Sequence, residues 1–222
     1  MLAFDIESMG VNKHKDLITV CSLYDPDNGI SKVLRFVDLN EDGEVCYKDS
    51  YREVVDELIK YMNEADTLCA FNSLNFDIPF LQIQFDIPND IVQGWVFKTF
   101  DILEVCRRGF NRTFNLNLCL ALNNVGDGKT GSGLQAVVQA KLGQFEELES
   151  YCLDDSMLTH ELSMLDIINC PEGYNWRKNH QDKSHDANHV MKIDRSKFPK
   201  LSFRFEPLVA NQDAVVATPV AV

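Results

Sequence analysis

The hydrophobic period of the chain changes from extended to helical near its first quarter, and that change constrains the fold more than any single residue. Up to Val37 the apolar residues fall in short extended runs: Leu2–Ile6, Asp16–Tyr24 (DLITVCSLY) and Lys32–Val37 (KVLRFV). They are separated by hairpin-like distances, and the turn-forming stretch Asp25-Pro26-Asp27-Asn28-Gly29 lies between the last two. Three successive strands of this kind predict an antiparallel meander. From Tyr51 the period is helical, with Val54, Val55, Leu58, Ile59 and Met62 recurring on one face and Ser50 as the expected N-cap.

Strand and helix then alternate. Thr67–Phe71 (TLCAF) reads as a buried strand and Ile78–Phe85 as a short helix that tolerates Pro79 in its first turn. Trp95–Phe100 (WVFKTF) reads as a further strand ending at Asp101. Beyond it Asn115–Leu122, Gly133–Leu142 and Phe145–Ile168 read as helices separated by glycine-containing breaks. The order β-β-β-α-β-α-β followed by helices predicts an α/β fold, a mixed sheet with helices on its faces. No Pro/Gly/Ser-rich linker divides the 222 residues. One domain over 1–170 is therefore expected, followed by a polar extension over 171–222. Its last stretch, Ala210–Val222, carries no periodic pattern and is expected to be poorly ordered.

The beginning MLAFDIES lacks the basic and apolar regions of a secretory signal, and no run approaches the roughly 18 apolar residues of a membrane span. A chain that is neither secreted nor membrane-spanning is expected, in the cytoplasm, the nucleus or a viral replication site. Seven cysteines are scattered without a CxxC pair. That excludes a disulfide framework and a zinc ribbon, and points to buried free thiols in a reducing compartment. His180, His185 and His189 form an H-x4-H-x3-H pattern in a polar stretch with no neighbouring cysteine, which suits a surface segment better than a zinc site.

Three groups of acids stand out. Asp5 and Glu7 alternate with Ile6 along the first strand and project from one face, a costly arrangement inside a protein unless a cation compensates it. The plainer alternative is an exposed strand end with Lys13 or Lys15 as partner. Asp77 ends the segment Asn72-Ser73-Leu74-Asn75-Phe76-Asp77, which follows a strand and precedes a helix. Loops at strand C-termini are where α/β sheets place ligands, although Asp77 equally suits a helix N-cap. Tyr151 and Asp155 stand at i and i+4 of the last helix and share a face, either as part of a site or as a boundary tyrosine with a solvated acid.

Taken together and in this order, FDIE at Phe4–Glu7, N-x3-F-D at Asn72–Asp77 and Y-x3-D at Tyr151–Asp155 resemble the three motifs of the DEDD (DnaQ-like) 3′–5′ exonuclease superfamily. Ser150 stands where the histidine subgroup carries its histidine, so the likeness is to the tyrosine (DEDDy) subgroup. That subgroup includes the proofreading exonuclease domain of family B DNA polymerases and its stand-alone relatives. The resemblance spans roughly Leu2–Leu165. It implies an RNase H-like fold with a five-stranded mixed sheet, in which the first three strands are antiparallel and the others parallel. Hydrolysis would depend on two divalent cations, Mg2+ or Mn2+, about 4 Å apart. By the resemblance, Asp5 would bridge both ions, Glu7 and Asp155 would complete one site, and Asp77 would hold the second ion. Tyr151 would orient the attacking water, and nucleoside 5′-monophosphates would leave the 3′ end of a single strand of DNA or RNA, with DNA the favoured substrate. Ser8 departs from the family's usual threonine beside the strand terminus.

Asn72, Asn75 and Phe76 are the candidate strand contacts; Arg107, Arg108, Arg112, Lys129 and Lys141 are the basic residues between the second and third motifs. The net charge of −13 runs against the basic footprint of nucleic-acid proteins. Acids that bind metal are neutralised in the working enzyme, and a grip on a few terminal nucleotides needs only a small patch. Weak intrinsic affinity, or delivery by a partner, is therefore expected, a polymerase, helicase or other replication protein being the candidate. Rival readings are a catalytically silent module of the same fold in a replication or repair complex, an RNA exonuclease, and an endonuclease.

Overall fold

The computed structural model describes residues 1–110, 113–126, 133–171, 187–194 and 202–207. The extended period of the first segment becomes a meander of β1 (Leu2–Ser8), β2 (Ile18–Asp25) and β3 (Ile30–Arg35). These strands pair antiparallel in the register Phe4↔Leu23, Asp5↔Ser22 and Ile6↔Cys21, then Cys21↔Leu34. The turn after β2 closes on Gly29 in the left-handed region, φ 68°, which suits a residue without Cβ. Lys32–Val37 does not remain one strand. It divides at Phe36, and Val37 begins a small hairpin of β4 (Val37–Leu39) and β5 (Val45–Tyr47).

Helix α1 (Tyr51–Glu64) buries Val55, Leu58 and Met62 at the anticipated spacing. Ser50 occupies its N-cap position, yet its side chain makes no capping hydrogen bond. The strands β6 (Leu68–Ala70) and β7 (Thr99–Asp101) join β1 in parallel, giving the order β3-β2-β1-β6-β7. This is the five-stranded mixed sheet that the motifs implied.

Between β6 and β7 lie α2 (Asp77–Phe85) and α3 (Asn89–Lys98). The latter corrects the reading of Trp95–Phe100 as a strand. Val92 and Trp95 are buried at helical spacing while Phe97 is 88% exposed, so an apolar run that looks extended is a helix flank. Trp95 donates its indole N–H to Asn63 Oδ1 at 2.8 Å. Only Thr99–Asp101 of the expected strand is extended.

The chain continues through α4 (Ile102–Phe110), α5 (Leu116–Asn123), α6 (Gly133–Lys141) and α7 (Phe145–Ser163). The final helix ends five residues before the expected Ile168. Ile167 and Ile168 begin β8 (Ile167–Pro171), where β-branched side chains pack better than in a helical turn. β8 pairs with β9 (Ala187–Asp194), and β9 with β10 (Ser202–Pro207), so a second sheet reaches into the polar extension. His189 stands on β9 opposite Cys170 in the register. His180, His185, Arg112, Lys129 and Ala210–Val222 lie outside the described residues.

One apolar cluster joins the meander to α1, α2, α3, α6 and the first half of α7, and includes fully buried Phe4, Phe36, Phe80 and Trp95. Burial of such a side chain contributes roughly 1.5–3 kcal/mol. A second cluster gathers Ala3, Phe100, Ile102, Cys119, Leu162 and Ile168 beneath the later helices and β8. β1 touches both, because Leu2, Phe4 and Ile6 face one way while Ala3, Asp5 and Glu7 face the other. The seven cysteines are free. Among the described residues, no helix is long and apolar enough to cross a membrane.

Candidate active site

The site begins where α7 crosses the Asp5 face of β1. A long helix can approach a sheet closely only where small side chains line the crossing. Ser22, opposite Asp5 in the β1–β2 pair, meets Ser156 Oγ at 2.5 Å and donates to the Cys152 carbonyl at 2.7 Å. The Cys152 thiol lies 3.5 Å from the Asp5 carbonyl oxygen and 3.7 Å from Asp5 Oδ2. All three small residues are buried. Burial drives the Cys152 thiol well above its ordinary pKa, and the negative Asp5 and Glu7 add to the rise. It is therefore a neutral donor and spacer.

This crossing sets Asp155 over β1. Carboxylate oxygens of Asp5, Glu7 and Asp155 all lie within 4.8 Å of one another. Asp155 is 2% exposed and Glu7 9%. The register of β1 against β2 shifts between Glu7 and Ser8, an irregularity of the kind that re-aims side chains beside active sites. Asp5 is half-buried, and three carboxylates converging in this way form a donor set that could hold a metal ion, since hard divalent ions prefer oxygen donors. The donor set therefore fits Mg2+ or Mn2+. Tyr151 sits one turn before Asp155 on the same face of α7, with 7% exposure.

Asp77 reaches the site differently. It is the first residue of α2, preceded by Phe76 at the N-cap, so the N-cap alternative for Asp77 does not hold. Its Oδ1 accepts the Ile6 backbone N–H at 3.1 Å, which ties it to β1 between Asp5 and Glu7 but outside the three-acid cluster. Burial pushes its carboxyl up to about 7, opposed by the N–H groups of Ile6 and of Asp77 itself; nearby Asp101 adds to the rise and Lys13 counters it.

The loop that delivers Asp77 is organised by acids that sequence reasoning missed. Asp101, with no exposed surface, accepts the backbone N–H groups of Asn72 at 2.9 Å, Leu74 at 2.8 Å and Glu104 at 3.0 Å. Asn72 has φ 71°, a left-handed conformation that asparagine adopts more readily than most residues. Asn75 is exposed and donates to Glu104 Oε2, while Lys13 donates to the Asn75 carbonyl at 2.8 Å. Phe76 packs edge-on against Phe80, and the Lys13 ammonium lies 6.0 Å from its ring centre. Ser8 turns its hydroxyl to the Gly10 carbonyl, 2.6 Å away.

Among the basic residues, Arg107 and Arg108 are committed to Glu104 by guanidinium contacts of 2.6 Å. The hydrogen bond from Arg107 is the main reason that Glu104 is held down to about 2, with Asn75 and Arg108 adding to it. The one usable sequence signal for this inner layer was the acidic pair of Asp101, which ends β7, and Glu104 three residues later; the roles of Ser22, Cys152 and Ser156 left no signal at all.

The family model of the RNase H superfamily matches residues 2–138, and the chain belongs to that superfamily. The match takes in the first two motifs and ends before Tyr151, so it is the fold that brings the third to them. Among solved structures the chain is similar to the family B DNA polymerase from the hyperthermophilic archaeon Pyrobaculum calidifontis. The identity is 17% and the TM-score 0.50, over 73% of this chain and 24% of that one. The chain thus spans about a quarter of that polymerase's length. It is also similar to a protein solved as the apo form of a nuclease, at 16% identity and a TM-score of 0.44, over 73% of this chain and 69% of that one. At 17% identity the likeness to the polymerase is one of fold. No curated protein matches the sequence.

Proposed function

We propose that this chain is a metal-dependent 3′–5′ exonuclease that releases nucleoside 5′-monophosphates from single-stranded nucleic acid, DNA in preference to RNA. The observation that carries the reading is the convergence of Asp5, Glu7 and Asp155, from a strand and a helix 148 residues further on (155 − 7), within 4.8 Å. The 3′–5′ direction and the single-strand preference rest on the likeness of Y-x3-D at Tyr151–Asp155 to the tyrosine subgroup of DEDD exonucleases.

Asp5, Glu7 and Asp155, with Asp77 alongside, are the residues that would hold two divalent cations, whose chemistry is to stabilise charge on the attacking and leaving oxygens of an in-line displacement. The chain's own residues do the rest. Tyr151 positions its hydroxyl to orient the attacking water. Asn72, Asn75 and Phe76 present amides and a partly exposed ring to the strand end, and Lys13 supplies a cation beside them. With −13 net charge and Arg107 and Arg108 already tied to Glu104, intrinsic affinity for a polyanion is weak. Delivery by a polymerase, helicase or other replication partner follows from that weakness. The seven free thiols support a reducing compartment as the place of action, the cytoplasm, the nucleus or a viral replication site.

The test is purified protein on 3′- and 5′-labelled single strands, DNA beside RNA, with Mg2+, Mn2+ or EDTA. Stepwise shortening from the 3′ end, abolished by EDTA and by a blocked 3′ terminus, is expected. Internal cleavage of the blocked strand would instead mean an endonuclease. No cleavage under any metal, with binding retained, would mean a catalytically silent module.

A further inference from the structure

We propose that Asp101 is the positioning residue for the carboxylate of Asp77, acting through the backbone of the loop between them and never touching substrate. The inference rests on the reading of the site as a metal-dependent nuclease, but its structural half can be tested without activity.

The argument starts from the hydrogen-bond capacity of a buried carboxylate. Such a group is costly to bury unless its oxygens are satisfied, and Asp101 has no exposed surface. Burial accordingly raises its pKa, while three N–H donors oppose the rise. Two of those donors, Asn72 and Leu74, belong to the loop; the third, Glu104, opens α4. One side chain at the end of β7 therefore fastens the end of β6 to the start of α4.

The loop transmits that anchor. Its chain reverses at Asn72, and the Asn72 carbonyl then accepts the N–H groups of Asn75 at 3.2 Å and Phe76 at 3.0 Å. The Ser73 carbonyl accepts Ile78 N–H at 2.9 Å, which brings the chain directly into α2 with Asp77 as its first residue. From there Asp77 Oδ1 reaches Ile6 N–H, between the two acids of β1. Hydrogen bonds joined by short stretches of backbone thus run from Asp101 to the strand that carries Asp5 and Glu7. Glu104 steadies the outer end of the loop through Asn75, but it is attached to exposed arginines and lies off this path.

The variant Asp101→Asn keeps the shape but replaces one acceptor oxygen by an NH2 group facing a backbone N–H. In the metal-free variant the amides of Asn72 and Leu74 are expected to exchange with solvent about 10-fold faster or more. Second-layer changes of this kind typically cost about 10–100-fold in metal affinity or activity. A loss of that size should appear in kcat and in the Mn2+ concentration for half-activation, with KM little changed. Wild-type amide exchange, kcat and Mn2+ response would overturn the proposal, as would a rise in KM alone. A variant that fails to fold leaves the decision to the wild-type protein, where saturating Mn2+ should slow exchange at Asn72 and Leu74 because coupling is reciprocal. Exchange there that ignores Mn2+ overturns the proposal. If the wild type cleaves nothing, the nuclease reading fails separately, and the Mn2+-dependent exchange still decides the role of Asp101.

Discussion

The two sides of the candidate site are held by different physics. On one side α7 lies against β1 and β2 through buried Ser22, Cys152 and Ser156, and that crossing carries Asp155 to within 4.8 Å of Asp5 and Glu7. On the other side Asp77 sits at the end of a short loop suspended from Asp101 and Glu104 by hydrogen bonds, with the exposed Asn75 at its outer edge. Packing of this kind is all-or-none, whereas a hydrogen-bonded loop can shift by small amounts. The cluster of three acids is thus the rigid half and the Asp77 loop the adjustable half, the one that would meet the strand end under the proposed function.

The sharpest way to break this division is to remove acids from the rigid half. Asp5→Ala should lower kcat by at least about 10³-fold, roughly 4 kcal/mol of transition-state stabilisation. Tyr151→Phe should lose about 10²-fold and remain measurable, since orienting groups contribute less. Steady-state kinetics on a labelled oligonucleotide reads both, and equal losses would undo the division of roles. Cation binding is the next largest effect. Mn2+ at about 100 times its dissociation constant should add roughly 2.7 kcal/mol to stability, a rise of several degrees in Tm. Calorimetry that shows the same rise in Asp5→Ala would place the ion elsewhere.

Smaller effects separate packing from hydrogen bonding. Ser156→Leu overfills the crossing of α7 on β2 and should cost about 1–3 kcal/mol in chemical denaturation. It should also cut activity by lifting Asp155 from β1, and unchanged stability would mean that the crossing is not tightly packed. Glu104 gives the mildest test. Its carboxyl is held down to about 2, mainly by Arg107. A depressed acid stabilises the fold above its unfolded pKa, and that contribution is lost as pH falls from about 4.5 toward 2. Glu104→Gln should therefore lower Tm slightly at neutral pH and flatten its decline across that acidic window. Parallel Tm curves for the two proteins would contradict the ion pairs.

Local patterns were readable where a residue's neighbours in sequence are also its neighbours in space. The meander, α1 and the shared face of Tyr151 and Asp155 belong here, because strand and helix periods are local properties. The period misled at Trp95–Phe100, an apolar run whose helical burial depends on Asn63 and the core around it. It misled again at Ile168, which leaves the helix to pair with β9. The acids of the site were visible by motif, while Asp101 passed as the last residue of a strand, since its partners are backbone amides that no side-chain pattern encodes.

By itself the amino-acid sequence determined the three-stranded meander and α1, the alternation that puts Asp5 and Glu7 on one face, and the identity of the acids. Only the tertiary structure decided that Asp155 meets them, that Asp77 is tied to Ile6, and that two arginines are spent on Glu104. The reason is range: periodicity acts over a few residues, whereas a carboxylate's neighbours are chosen by packing between segments more than a hundred residues apart.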